Sequence, residues 1–475
     1  MSIIDKSSYR LSEEERAVYR RFARLALPRH TSYPIAPVWK ESYRAREFET
    51  DLRTSGRRSN PISLYVHLPF CRQLCYYCAC TKEIVPDGAR RKRDPVDELL
   101  AGLAIEIDRV AEILGEAEVE QLHWGGGSPT FLTSPQLSTL FRLITRRFPM
   151  TPTAEIACEI DPRITNTDQL ETLRDLGFNR ISLGIQDFDD RVQNAVNRRQ
   201  PFDVVAAAVE TCRRLDFDSI NFDLIYGLPF QTLDSMAETV EKVIRLSPDR
   251  IAFYRLAMIP EMFRWQNAFK PEDLPTGDLP LDLNLLAIRQ FLEAGYEFIG
   301  LDHFAKPHEP LAKAAKEGSL HRNFQGMTTN KSLEIVALGP SAISQLSSAI
   351  AQNVKNSEDW RHAIDKDLAT ERGLKLSDDD RLRREVLQQL YSFGSIDTGE
   401  IERQFGIRFS HYFAEELDRL QELESLGLLT VGREIRLTQP LGRLLVRAPA
   451  AVFDHYLPPL AYKNGLPAGQ SSAVG

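Results

Sequence analysis

The chain has 475 residues, with 59 Lys or Arg against 67 Asp or Glu and a formal charge of −8. That length exceeds what one hydrophobic core serves, so two or three domains are expected, and the acidic balance excludes nucleic acid as the main partner, because phosphate binding needs clustered cations. No apolar run approaches the ~18 residues of a membrane span, the first residues lack an apolar signal core, and Cys158 and Cys212 stand isolated, so a cytoplasmic address with neither membrane nor disulfide framework is expected.

In chain order, "LSEEERAVYRRFARLA" over 11–26 predicts a helix whose acidic first turn suits the positive end of the helix dipole. "LPRHTSYPIAPVW" follows with three prolines, which preclude a continuous helix. It reads as an ordered arm whose Arg29, His30, Tyr33 and Trp39 either reach a site or pack the arm onto the rest. "ISLYVH" is a short apolar strand that delivers the loop "LPFCRQLCYYCACTK", where Cys71, Cys75, Cys78 and Cys80 form a C-x3-C-x2-C-x-C pattern. Three clustered thiolates can hold three irons of a 4Fe-4S cluster and leave one iron open to a substrate or cofactor. A structural zinc would want a second ligand pair at a standard distance, and none follows. The run Arg90, Arg91, Lys92 and Arg93 is either a solvated loop or a dock for an acidic electron donor.

Asp94 and Pro95 then give an N-cap and a favoured first helical residue, and Val96, Leu99, Leu100, Leu103, Ile107, Val110 and Leu114 recur at helical spacing. "VEQLHW" and "TAEIACEI" read as the second and third strands, each followed by a helical pattern; "NRISLGIQ", "SINFDLIYG" and "DRIAFYRLA" open the fourth, fifth and sixth units. Six consecutive β-α repeats predict an α/β fold with a parallel sheet, since parallel neighbours need helical crossovers. The expected form is an open (β/α)6 partial barrel, with its chemistry at the C-terminal strand ends.

Those ends carry the cysteines, then "GGGSPT", Glu159, Gln186 and Asp223. Gly125, Gly126 and Gly127 let backbone approach a ligand closely, although such a turn is often structural. Glu159, Asp223 and Arg198 each have the alternative of a rim salt bridge. Cys158 alternates with Glu159 and should face the core; His67 and His123 read as satisfied strand histidines, not ligands. Beyond residue 366 the pattern becomes helical: Ser377 caps a helix with Asp380 at its third position, and "LLTVGREIRLT" reads as a hairpin turning near Gly432. Three units are expected: an N-terminal helix and arm over 1–60, the barrel over 61–365, and a mainly helical, winged-helix-like unit over 366–475. The last is not strongly basic, so it should pack across the barrel mouth as a lid, with "NGLPAGQSSAVG" a disordered tail.

The cysteine spacing, with the aromatic Tyr77 before the third cysteine, is that of the radical S-adenosylmethionine (SAM) enzymes. The chain resembles the oxygen-independent coproporphyrinogen III oxidase family along nearly its whole length: "PRHTSYP", "YVHLPFC", "LHWGGGSPT", "EIDPR", "FNRISLGIQDF", "VNR", "DLIYGLP", "FIGLDHFAKP", "LHRNFQG" and "GPSAIS". The resemblance implies that Cys71, Cys75 and Cys78 ligate the cluster, while Cys80 is an additional cysteine that is not a ligand and stands with Tyr65 as a candidate catalytic residue. It implies two SAM molecules: one contacted by Tyr65, Gly126, Glu159 and Ile343, the other by Tyr77, Gly127, Ser128, Gln186, Arg198, Asp223 and Ala257. It further implies a tetrapyrrole substrate, a SAM-derived 5′-deoxyadenosyl radical that converts propionates to vinyl groups in haem biosynthesis, a small acidic electron donor (flavodoxin or ferredoxin-like) and a monomer. The chain departs from the family's pattern at "FYRLAMIP", with Arg255, Leu256 and Met258, and after "HRNFQG", from Met327 to Leu333. Both segments are expected to flank the substrate chamber, so two alternatives stand: a paralogue such as a radical SAM methyltransferase, and a haem-binding carrier.

Overall fold

A computed structural model describes residues 9–25, 27–57, 60–86, 88, 94–329 and 334–457. The basic run at 90–93, the tail from 458 and the stretch 330–333 lie outside the described residues, and with them the expectations placed there.

Among the described residues, the six expected strands run parallel: β1 (Ile62–Leu68), β2 (Val119–Gly126), β3 (Met150–Ile160), β4 (Arg180–Gln186), β5 (Ser219–Tyr226) and β6 (Arg250–Arg255). Every residue of β1 is buried, as expected where both faces of a parallel strand are covered. Helix Pro95–Leu114 makes the first crossover. Asp94 accepts a hydrogen bond from the Val96 N–H at 2.8 Å, and the helix stops at Gly115, whose φ of 78° favours glycine. Its apolar stripe packs onto the sheet, and the later crossovers repeat the scheme, so all six C-terminal strand ends share one rim. Between β2 and its helical cover, fully buried Trp124 meets Phe178 edge-on at 4.7 Å between ring centroids.

The parallel core is one part of a twelve-stranded sheet. Beyond β6 lie His303–Ala305 and Glu297–Gly300, both antiparallel. Beyond β1 lie Ile335–Leu338, parallel to it, and then antiparallel Ile343–Gln345, Ala349–Asn353 and Thr370–Lys375. The last strand carries the sheet past the expected boundary at 365. Gly373 on it forms a bridge with Lys40 of the arm, where any side chain at 373 would collide with Tyr43. The first helix is shorter than expected, Glu13–Ala23, and starts with a reciprocal capping box between Ser12 and Glu15.

The arm is packed down. His30 is buried with Nδ1 2.9 Å from the Tyr391 hydroxyl and Nε2 2.9 Å from the Asp454 carboxylate. Tyr33 accepts from the His455 N–H, and Trp39 donates to the Pro34 carbonyl. The Ser377 cap and its box with Asp380 start helix Asp378–Phe393, and Leu429–Thr430 pairs with Glu434–Leu437 as a hairpin. A third strand joins it, Ser395–Asp397, too short for its pattern to be read from sequence.

The lid expectation needs correction. Among the described residues, none beyond Thr328 lines the cavity at the barrel mouth. The C-terminal helices instead back the hairpin formed by His321–Asn323 and Gly326–Thr328: the Arg322 guanidinium lies 5.0 Å over the Tyr391 ring. The physical reason is His30, whose two buried hydrogen bonds tie these helices to the arm beside the sheet edge. No helix among the described residues is long and apolar enough to cross a membrane.

Candidate functional site

The strand ends surround one cavity of about 370 Å³. Cys71, Cys75 and Cys78 line it from the loop after β1, and Cys80 reaches its edge as an exposed side chain. The loop is fixed locally: Gly127 donates to the Leu68 carbonyl and Ser128 to that of Phe70, both at 2.8 Å. The Ser128 hydroxyl lies 3.8 Å from the Cys71 sulfur. Burial pushes the Cys71 thiol up to about 11, whereas a hydrogen bond from Cys80, helped by Lys82, draws Cys78 down to about 6 against its burial. Two cations stand behind the third sulfur: Arg198 and Arg163 approach the Cys75 sulfur at 3.7 and 3.9 Å. Among the described residues, no group of three or more His, Cys, Asp or Glu side chains is arranged to hold a single metal ion. Three converging thiols with cations behind them match instead a cluster, which spreads its ligands over separate irons.

The glycine turn and Glu159 form one unit. Glu159 accepts from His123 Nε2 at 3.0 Å and from the Gly126 N–H at 3.1 Å. Burial would raise its pKa, but His123 and that N–H outweigh burial and hold it below the usual range. Gly126 sits at φ 104°, and a side chain there would enter the His67 ring. His67 Nε2 faces the Thr81 carbonyl at 2.9 Å and must donate to it, so Nδ1 accepts from the Tyr65 hydroxyl at 3.0 Å. That chain ties β1 to the far end of the cysteine loop. Both histidines are hydrogen-bonded, as the sequence suggested, yet His123 also lines the cavity and orients Glu159.

Arg198 is buried and aimed inward. Its Nη2 donates to the Gly184 carbonyl at 2.7 Å and its Nη1 to Asp161 at 3.3 Å, while Nε has no partner among the described residues. Asp161 also takes Arg163 at 2.6 Å. Burial opposes its charge, but Arg198 and then Arg163 bring the carboxyl down to about 2. Gln186, Asp223 and Tyr77 line the same wall, Gln186 with a φ of 69° where β4 ends. Ala257 does not line the cavity; its carbonyl accepts from buried Gln266 at 2.8 Å, and the same amide reaches the Tyr77 carbonyl at 3.5 Å. Gln266 therefore ties the cysteine loop to the turn after β6. Trp265 adds a second tie by donating to the Cys78 carbonyl at 2.9 Å.

Two more expected residues stand back from the cavity. The Tyr65 ring stacks on His123 at 5.9 Å and lies behind it, and the Ile343 side chain packs in the apolar patch of Trp39 and Ile350. Arg255 is a correction: alternation along β6 sends Arg250, Ala252 and Tyr254 into the cavity and Arg255 to the opposite face. Met258 lies exposed, outside the lining. Sequence reasoning missed Asp161, Tyr254 and His303, all on the wall. Asp161 was legible inside "EIDPR", whereas His303 comes from an antiparallel edge strand without a strong pattern.

Burial, with Glu159 nearby, raises Asp223 to about 6. The folded state therefore keeps this proton longer than the unfolded chain, and its ionisation costs stability as pH rises from about 4 to about 6. Asp223→Asn is expected to raise the melting temperature of the unloaded protein above pH 6, with little effect near pH 4. Melting curves across that range check it.

The model of the radical SAM superfamily matches residues 65–243. An oxygen-independent coproporphyrinogen III oxidase from Pseudomonas aeruginosa is 44% identical over 441 residues, covering 92% of this chain and 95% of its own. One from Escherichia coli is 41% identical over 431 residues, with 90% and 93% covered. The solved structure of the Escherichia coli coproporphyrinogen III oxidase, described as a radical SAM enzyme, superposes with a TM-score of 0.86 at 40% identity, covering 90% of this chain and 98% of that one.

Proposed function

The chain belongs to the oxygen-independent coproporphyrinogen III oxidases, a radical SAM family, and from that premise we propose that its barrel mouth turns two propionate side chains of coproporphyrinogen III into the vinyl groups of protoporphyrinogen IX. The observation that carries the reading is the shared wall: three cysteines, Glu159, Gln186, Arg198 and Asp223 line one cavity.

The residues present fit the groups the family uses. Cys71, Cys75 and Cys78 would hold a 4Fe-4S cluster, with Arg163 and Arg198 offsetting its thiolate charge. The unpaired Nε of buried Arg198 is a donor in search of an acceptor, and the carboxylate of a methionine moiety supplies one. Glu159, held ionised, suits an ammonium group. Asp223 and Gln186 suit ribose hydroxyls and Tyr77 an adenine face, the contacts a second SAM beside the first would call on. When bound, cluster and SAM supply the one-electron chemistry that removes a hydrogen atom from the propionate. The chain orients and shields: Gln266 and Trp265 hold the cysteine loop shut against the turn after β6, and the hairpin at 321–328 walls off solvent.

A small acidic donor of the flavodoxin or ferredoxin kind would deliver electrons to the cluster, and the enzyme is taken as a monomer. The methyltransferase alternative rested on two changed segments, of which Arg255 faces away from the cavity while Met327 and Thr328 line it; the products of turnover decide between the readings. Anaerobic incubation of reconstituted protein with SAM, reductant and coproporphyrinogen III tests the reading. The expected products are protoporphyrinogen IX and 5′-deoxyadenosine; S-adenosylhomocysteine without a vinyl product would favour methyl transfer, and stoichiometric haem binding without SAM cleavage would favour a carrier.

A further inference from the structure

On the face of β6 turned away from the cysteines, a second cavity of about 90 Å³ lies between helix Glu13–Ala23, β6 and residues 443–448. Its charged lining is Arg255, Arg443, Arg447 and Asp302. Asp302, the one acid, is already paired with Arg29, whose guanidinium also lies 5.0 Å over the Tyr254 ring. Buried Arg443 has neutral partners: it donates to the Ile299 carbonyl at 3.2 Å and lies 4.8 Å over the Phe298 ring. Among the described residues, Arg255 and Arg447 form no salt bridge. Both line the cavity together with Tyr19 and Tyr226, and both oppose the burial that raises those two phenols.

The cavity thus holds three guanidiniums, from Arg255, Arg443 and Arg447, against one carboxylate already engaged by Arg29 from outside the lining. A buried cation without a counter-ion opposes folding, and the opposition is removed when an anion enters with paired N–H donors. Burial and then the charge of Arg29 push the Arg447 pKa down, which is the direction of such an imbalance.

We propose that this second cavity is an oxyanion site in which Arg447 and Arg255 donate to one carboxylate- or phosphate-sized group while Arg443 supplies background charge. Two sources share that chemistry: a free inorganic oxyanion, or a propionate of a tetrapyrrole that reaches this face of the sheet from outside. The second source rests on the proposed function; the site itself does not.

The test is calorimetric titration of the full chain with inorganic phosphate, against chloride at matched ionic strength. Saturable single-site binding is expected, weakened by about tenfold or more in Arg447→Met and in Arg255→Met and partly retained in Arg447→Lys. Arg255 is exposed, so its variant keeps the test open if Arg447→Met fails to fold. Phosphate that binds no better than chloride, or equally well in both Met variants, overturns the site. Titrating coproporphyrin III with and without phosphate separates the sources: competition supports the propionate, independent binding the free oxyanion.

Discussion

Cys75→Ser is expected to leave the fold intact and remove activity by at least about a thousandfold, equivalent to ~4 kcal/mol of barrier. Serine fills almost the same volume, and nothing in the barrel depends on the sulfur for packing. What it loses is the thiolate that Arg198 and Arg163 approach at 3.7 and 3.9 Å, the third of three ligands for iron. Reconstituted Cys75→Ser should show no visible cluster absorption, with a melting curve like that of wild type before reconstitution. Cys71→Ser and Cys78→Ser should behave alike. Cys80→Ser is the contrast. Cys80 is exposed and acts through its hydrogen bond to Cys78, which a serine hydroxyl can replace, so the cluster should form and activity fall by about tenfold at most. Loss of the cluster in Cys80→Ser would make it a ligand and refute the three-cysteine assignment.

The second large effect is expected at Glu159. Its carboxylate takes one donor from His123 and one from the Gly126 backbone, and Glu159→Ala leaves both unsatisfied at the cavity wall. Charge-assisted hydrogen bonds contribute roughly 1.5–3 kcal/mol each, so losing them together with the ligand contact should cost at least about a hundredfold in kcat/KM for SAM. Gly125→Ala tests the same site without removing the carboxylate. A Cβ at 125 would stand 2.7 Å from Glu159 Oε1 and must push the side chain out of line. Because both changes act on one group, the double variant should be little worse than the worse single one. Full additivity would mean that Glu159 is not what the glycine turn positions.

The cysteine loop, the glycine turn and the six strand ends were legible in the sequence because each carries its own signal. These are thiol spacing, three adjacent glycines, and apolar runs punctuated by polar residues at the rim. Parallel topology then followed from the helical crossovers. The antiparallel strands at both sheet edges were not legible, since segments such as His303–Ala305 and Ile343–Gln345 are three residues long and gain their register from neighbours. His303 was missed with its strand. Arg255 was misplaced for another reason: it adjoins the strand end, where sequence distance from the site is small, but the alternation of β6 turns it to the opposite face. The C-terminal helices were recognisable as helices from their caps and periodicity, whereas their seat depended on long-range hydrogen bonds of His30, which no local pattern encodes.

On this reading the cavity removes hydrogen from the β-carbon of a propionate. Coproporphyrinogen III deuterated at those positions, turned over anaerobically with SAM and reductant, tests it most directly. Deuterium should appear in 5′-deoxyadenosine, one atom for each vinyl group formed. Vinyl product whose deuterium has gone to solvent, or deuterium fully retained beside S-adenosylhomocysteine, would contradict it.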